Sequence, residues 1–182
     1  EHSLSPKLHN YWIKENNIDA VYNKKQLNEN DIKGIINEVA NGKIDGINVT
    51  IPFKKSVIPF LNELTPLAKE AQSVNTIYKK DGKAVGDNTD VDGFGHALKH
   101  IDYNVQGKKV FILGAGGVVS SIILALKKAG ASEIILSNRT KEKAENLKKK
   151  YSYLKVVDWG DIPDSNMIIN ATSLGLKEDD EI

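Results

Sequence analysis

Hydrophobic residues recur along the chain with two periods, and the alternation between them predicts its elements. After Ser5-Pro6, the residues Leu8, Tyr11 and Trp12 recur at helical spacing, with Ser5 as cap and proline at the first helical position. Ala20 to Lys24 reads as a short strand. Asn30 is placed to cap a helix through Ala40, with Ile32, Ile35, Ile36 and Val39 on one face and Asn41-Gly42 ending it. Ile44 to Ile51 reads as a strand that runs into Pro52-Phe53-Lys54-Lys55, with a short helix expected next. Thr65-Pro66 opens a helix through Gln72. Val74 to Lys80 and Lys83 to Gly86 pair as a hairpin about Asp81-Gly82. Asp87-Asn88-Thr89-Asp90 leads into a helix from Val91 to His100.

The pattern restarts at Lys108. A strand enters the glycine cluster Gly114-Ala115-Gly116-Gly117, and a helix over 118–129 follows, closed by Gly130. Strand Glu133–Asn138, helix 140–150, strand Leu154–Asp158 and strand Met167–Asn170 complete the series. A β-α-β-α-β-β order predicts a parallel, doubly wound sheet. The chain is therefore expected to be α/β, with a first unit over residues 1–92 and a Rossmann-like unit over residues 93–182. The boundary falls near Val91–Gly93, and the helix that follows acts as a bridge.

Composition narrows the class. The 25 basic and 24 acidic residues leave a net charge of +1, so charge gives no reason to expect nucleic acid as a partner. Lys148-Lys149-Lys150 falls in the last turn of an expected helix, where cations suit the dipole, and reads as a solvated face. With no cysteine, thiolate catalysis, disulfides and zinc–thiolate sites are excluded. No apolar run approaches the roughly 18 residues of a spanning helix. No membrane partner is expected, and the cytoplasm is the expected compartment. The four histidines show no ligand grouping, so no metal is expected. Met167 is the only methionine, and Lys177 to Ile182 is an acidic, loop-like end. The chain accordingly reads as a fragment, or as the ordered part of a longer protein.

The glycine cluster carries the first chemistry. Backbone N–H groups at a helix start are unpaired and sit at the positive end of the dipole, so strand, glycine turn and helix together can bind a pyrophosphate. Gly114 and Gly116 match a G-x-G-x-x-G pattern, but Val119 holds the third place. A simple turn is the alternative. The next strand ends in Asn138-Arg139-Thr140, with Lys143 one turn on and no carboxylate at its tip. A carboxylate there would repel a 2′-phosphate, whereas arginine can grip it, which favours NADP over NAD. A plain Thr140 cap beside a surface arginine is the competing reading. For Ser3 and Ser5, a helix cap competes with a carboxylate-binding pair.

Several segments together resemble the shikimate dehydrogenase family. They are His2-Ser3-Leu4-Ser5-Pro6, Asn48-Val49-Thr50-Ile51-Pro52-Phe53-Lys54, Val74-Asn75-Thr76, Gly86-Asp87-Asn88-Thr89-Asp90, Gly114-Ala115-Gly116-Gly117, Asn138-Arg139-Thr140 and Asn170-Ala171-Thr172-Ser173. They follow the family's order and span nearly the whole chain. The resemblance implies a two-domain, NADP-dependent enzyme that reversibly reduces 3-dehydroshikimate to shikimate on the route to aromatic amino acids. It implies that Ser3 and Ser5 hold the substrate carboxylate. Thr50 and Asn75 would add polar contacts, and Lys54 and Asp90 would form the catalytic pair while also touching substrate. It implies cofactor contacts at Gly114, Ala115, Gly116, Gly117, Val118, Asn138, Arg139, Thr140 and Lys143, with Thr172 and Ser173 near the nicotinamide. From the residues alone, Lys54 reads as a surface lysine, and Thr89 or Asp90 as a helix cap.

The family also has a strand before the His-Ser-x-Ser-Pro motif, and a later segment with a substrate-contacting glutamine and returning helices. Neither is expected within these residues, which leaves the first domain incomplete. The competing functions are a quinate/shikimate dehydrogenase using NAD or both cofactors, a non-catalytic NADP- or shikimate-binding relative, and one segment of a multifunctional polypeptide.

Overall fold

A computed structural model describes residues 3–175; His2 and the acidic stretch Lys177 to Ile182 lie outside the described residues. In chain order the elements are α1 (Ser5–Glu15), α2 (Ile32–Ala40), β1 (Gly46–Asn48), β2 (Glu63–Leu64), α3 (Pro66–Ala71), β3 (Thr76–Lys80), β4 (Lys83–Asp87), α4 (Asp90–His100), β5 (Lys109–Leu113), α5 (Val119–Lys128), β6 (Glu133–Ser137), α6 (Lys141–Lys150), β7 (Leu154–Val156) and β8 (Met167–Asn170).

The first sheet grows around the expected hairpin. β3 and β4 pair antiparallel, and Asp81 and Gly82 take φ of 50° and 73°, the left-handed pair a type I′ turn needs. β1 adds antiparallel to β3, and β2 adds parallel to β4, giving the order β1-β3-β4-β2. The α2 face Ile32, Ile35, Ile36 and Val39 is buried as its spacing predicted, in a core with Val74, Ile77 and Ala84. Burying each such side chain stabilises by about 1.5–3 kcal/mol.

The second sheet has the order β7-β6-β5-β8, with every pair parallel. Val110, Phe111 and Ile112 in β5 are buried in succession, as are Ile134, Ile135 and Leu136 in β6. Such runs belong to strands covered on both faces. This is the α/β architecture expected, with half of a doubly wound sheet. The second core also takes in Ala71 from α3 and Val91 from α4.

Several local expectations are corrected. Ala20 to Lys24 forms no strand. The backbone of Tyr22 is instead satisfied by one side chain: Asn10 Nδ2 donates to its carbonyl, and its N–H donates to Asn10 Oδ1, both at 2.8 Å. The strand expected over Ile44 to Ile51 is trimmed to Gly46–Asn48, because Ile44 N–H is already held by the Glu38 carbonyl at the end of α2. Beyond the cis Ile51–Pro52 bond come turns and a short 3-10 segment, Ile58–Phe60, rather than an α-helix. Asn30 does not cap α2. A 3-10 turn, Glu29–Asp31, precedes the helix, and Asp31 Oδ2 accepts from Asn28 N–H at 2.9 Å. Ser5 is the first residue of α1 rather than its cap, and its own N–H reaches Ser3 Oγ at 3.4 Å. The helix forms, yet Leu8, Tyr11 and Trp12 stay exposed.

Candidate active site

Lys54 and Asp90 meet at one end of the first sheet, where Asn48 of β1, Thr76 of β3 and Asp87 of β4 lie in register. Lys54 lies in the turns after Pro52, and its carbonyl accepts from Val74 N–H at 2.8 Å, which ties that loop to the start of the hairpin. Asp90 opens α4, where the helix dipole favours a carboxylate. Lys54 Nζ stands 2.6 Å from Asp90 Oδ2, and the two side chains are 15% and 23% exposed. Lys54 is therefore not an ordinary surface lysine. A pair this sheltered is screened far less than a solvated one, and either partner alone would be costly to keep charged.

The second carboxylate oxygen is held as well. Asn75 Nδ2 donates to Asp90 Oδ1 at 2.9 Å and to Thr89 Oγ1 at 2.8 Å. Asn75 Oδ1 accepts from Thr89 N–H at 3.0 Å and from the Thr76 hydroxyl at 3.1 Å. With both oxygens engaged, Asp90 is fixed in orientation. Capping falls to neither Thr89 nor Asp90: Val91 N–H donates to Asn88 Oδ1 at 3.2 Å, and Thr89 makes no side-chain cap bond.

The network runs on to residues the sequence reading did not single out. Asn48 Nδ2 donates to Thr76 Oγ1 at 3.4 Å, and the Tyr22 hydroxyl donates to Asn48 Oδ1 at 3.0 Å. Burial pushes the Tyr22 phenol up, partly offset by a hydrogen bond with the Ser5 side chain. His9 stacks on the Tyr22 ring at 4.3 Å between centroids. A line of polar groups thus runs from Ser5 through Tyr22, Asn48, Thr76 and Asn75 to Asp90 and Lys54. Ser3 and Thr50 are exposed; the Thr50 carbonyl accepts from Phe53 N–H at 2.9 Å. The missed members had a weak signal: Asn48 and Thr76 belong to recognised segments, but Tyr22 lies in a stretch that read as an ordinary strand.

A second group gathers where β5, β6 and β8 end. Gly114 N–H donates to the Ser137 carbonyl at 2.8 Å, and its φ of +110° suits only glycine. A Cβ there would lie 2.7 Å from the Ala171 carbonyl oxygen. Among the described residues, the N–H groups of Ala115, Gly116, Gly117 and Val118 have no partner within the chain. A Cβ on Gly116 or Gly117 would meet nothing within 4 Å. Free donors, open space and the start of α5 fit a pyrophosphate. Val119, in the third glycine place, is fully buried in the second core.

Asn138, Arg139 and Thr140 follow β6. Asn138 Nδ2 donates to the Thr140 carbonyl at 2.8 Å, and Thr140 stands at the N-cap of α6 without a side-chain cap bond. Arg139 and Lys143 are exposed, and neither forms an ion pair among the described residues. Two unneutralised cations at the tip of β6 fit a 2′-phosphate. Past β8, the Thr172 hydroxyl donates to Asn170 Oδ1 at 2.7 Å and accepts from Leu174 N–H at 3.0 Å; Ser173 is exposed. The crevice between β5 and β8, where chain direction around the sheet reverses, is the place such sheets bind ligands.

No group of three or more His, Asp or Glu side chains suited to a metal occurs among the described residues. No helix among them is long and apolar enough to cross a membrane. A cleft of about 610 Å³ between α4 and α5 is lined by Asp92, His96, Lys99 and Lys128 among others; neither Lys54 nor the glycine turn borders it.

Known proteins resemble both halves of the chain. Residues 1–77 match the family model described as the shikimate dehydrogenase substrate binding domain, and residues 96–174 match that of shikimate / quinate 5-dehydrogenase. The shikimate dehydrogenase (NADP(+)) of Pelagibacter ubique is 56% identical over 182 residues, covering 100% of this chain and 69% of its own length. The crystal structure of shikimate dehydrogenase from Aquifex aeolicus superposes with a TM-score of 0.90 at 41% identity, over 100% of this chain and 68% of its own. That of Thermus thermophilus shikimate 5-dehydrogenase in complex with NADP(H) and shikimate gives 0.87 at 30% identity, over 96% and 66%. The chain thus spans about two thirds of the length of these relatives, in both sheets, and it belongs to the shikimate dehydrogenase family.

Proposed function

We propose that this chain carries the substrate and cofactor machinery of an NADP-dependent shikimate dehydrogenase, which reversibly reduces 3-dehydroshikimate to shikimate. The observation that carries the reading is the sheltered Lys54–Asp90 pair, oriented by Asn75, in a chain that also holds an unpaired glycine turn. A merely binding relative has no need of an oriented ammonium. Residues 1–92 would bind substrate and residues 93–182 the cofactor.

When bound, NADPH supplies the hydride and leaves as NADP+. The substrate C=O π bond breaks as its carbon gains that hydride and its oxygen gains a proton. Lys54 Nζ gives that proton and stabilises the developing alkoxide; in the oxidative direction the neutral amine takes it back. Asp90 holds Lys54 and the reacting hydroxyl in line, and Asn75 holds Asp90. Ser3, Ser5 and Thr50 grip the substrate carboxylate. On the cofactor side, Gly114, Ala115, Gly116, Gly117 and Val118 take the pyrophosphate. Asn138, Arg139, Thr140 and Lys143 take the 2′-phosphate end, while Thr172 and Ser173 border the nicotinamide.

The test uses the full-length protein with shikimate and NADP+, following the absorbance of reduced nicotinamide. Turnover is expected, and Lys54→Ala should lower kcat by about 10²–10⁴-fold, the usual range for a general acid–base. No shikimate-dependent signal, or equal rates in the two proteins, would overturn it.

A further inference from the structure

We propose that Asn88 is a positioning residue that fixes the glycine turn and α5 in register with the Lys54–Asp90 pair; this rests on the function proposed above. Asn88 is 1% exposed, and Ser73 and Ser121 are fully buried. Its Nδ2 donates to the Ser73 carbonyl at 2.9 Å and to Ser121 Oγ at 3.0 Å. Its Oδ1 accepts from Val91 N–H at 3.2 Å, and the Ser121 hydroxyl also stands 3.3 Å from that oxygen. The Ser73 hydroxyl reaches the Gly117 carbonyl at 3.5 Å.

The chain positions of these partners give the seam its meaning. Ser73 is two residues before Asn75, and Val91 directly follows Asp90. Ser121 lies in the first turn of α5, and Gly117 is in the glycine turn itself. One buried amide therefore joins the hairpin entry, the start of α4 and the start of α5. Its donors and acceptor are all in use, so a shift of α5 would strand buried polar groups on both sides. Hydrogen bonds tolerate only a few tenths of an ångström before they weaken, which leaves a single favourable register. Hydride transfer is sensitive to displacements of that size. Asn88 touches none of the groups assigned to substrate or cofactor binding and acts through the elements it joins.

The experiment compares the complete protein with Asn88→Ala, Ser121→Ala, the double variant and Ser120→Ala. Ser120 is an equally buried neighbour whose hydroxyl serves Tyr151 instead. Ser121→Ala removes only a hydroxyl from a helix and keeps the test open if Asn88→Ala folds poorly. In the ligand-free protein, amide hydrogen exchange should quicken at Gly117–Val119 and at Asp90–Val91 in the seam variants and stay unchanged there in Ser120→Ala. In single turnovers, hydride transfer should slow by about tenfold or more with both ligand affinities within about threefold of wild type. The double variant should be no slower than Asn88→Ala. Exchange that rises evenly over the chain, rates unchanged per folded molecule, or additive losses would overturn the assignment. A wild-type protein that transfers no hydride to or from these substrates would overturn the function instead, and the local exchange pattern alone would then decide the seam.

Discussion

Arg139 and Asn75 show how differently single residues reveal themselves. Arg139 is exposed at the tip of β6 and has no acidic partner among the described residues, which leaves its charge available to a ligand phosphate. A charge-assisted bond contributes about 1.5–3 kcal/mol. Arg139→Ala should therefore raise the KM for NADP+ by about ten- to a hundredfold while leaving that for NAD+ within about twofold, as initial rates with each cofactor will show. An equal change for both would remove Arg139 from the discrimination. The residue was legible because an absent carboxylate and a present guanidinium stand at a fixed offset from a glycine turn. Asn75 was legible only through its segment: nothing in its neighbours reveals that its amide links Asp90 to Thr89. Tyr22 was not legible at all. Its hydroxyl is placed by Asn10 and His9, residues of α1 twelve or more positions upstream, and such a long-range grip leaves no periodic trace.

At the scale of elements, hydrophobic period served well where a face is buried and poorly where pairing is remote. α2, α5 and the strands β5 and β6 formed as their apolar spacing required. β2 went unseen because two residues carry no period, and its partner β4 is set by distant chain. The contact between α6 and α3 was equally invisible. Lys150 Nζ donates to the Ala71 carbonyl at 2.8 Å and Tyr151 OH to the Glu70 carbonyl at 3.1 Å, so the end of α6 satisfies the end of α3. The lysine run is thus not wholly a solvated face. Burial, with Lys55 adding repulsion against a weaker pull from Glu70, lowers the Lys150 pKa to about 8. Burial raises that of Tyr151 to about 12. Between the folded value for Lys150 and its ordinary 10.5, the unfolded chain binds more protons, so this group makes stability rise with pH over that window. Tyr151 acts oppositely: from its ordinary 10.0 to about 12 the folded chain keeps the proton longer, and stability falls as pH rises. Lys150→Met should flatten the rise between about pH 8 and 10 and leave the decline above it, read from urea midpoints across that range. An unchanged slope would mean that Lys150 is solvated when the protein is folded.

For the whole molecule, the important fact is that the two halves of the proposed reaction rest on different sheets. The Lys54–Asp90 pair is anchored to the hairpin of the first sheet, and the glycine turn belongs to the second. Each sheet has its own core, and the cores meet around Ala71 and Val91, beside the Asn88 seam and the α6–α3 contact. The sheets can turn about those joints while the Asn88 bonds stay made, so the seam serves as the fixed point of the motion. A ligand held by one sheet makes few contacts with the other, so neither substrate nor cofactor alone gains much from bringing the sheets together. Both bound at once gain contacts across the crevice, and only such a difference in affinity can shift a conformational equilibrium. The full-length protein should therefore have a smaller radius of gyration in solution scattering with NADP+ and shikimate together than with either alone or with none. By linkage, shikimate should tighten NADP+ by the same factor by which NADP+ tightens shikimate. Identical scattering in all four states, with no mutual effect on affinity, would mean that the pair and the turn already stand at reacting distance and that no closure accompanies binding.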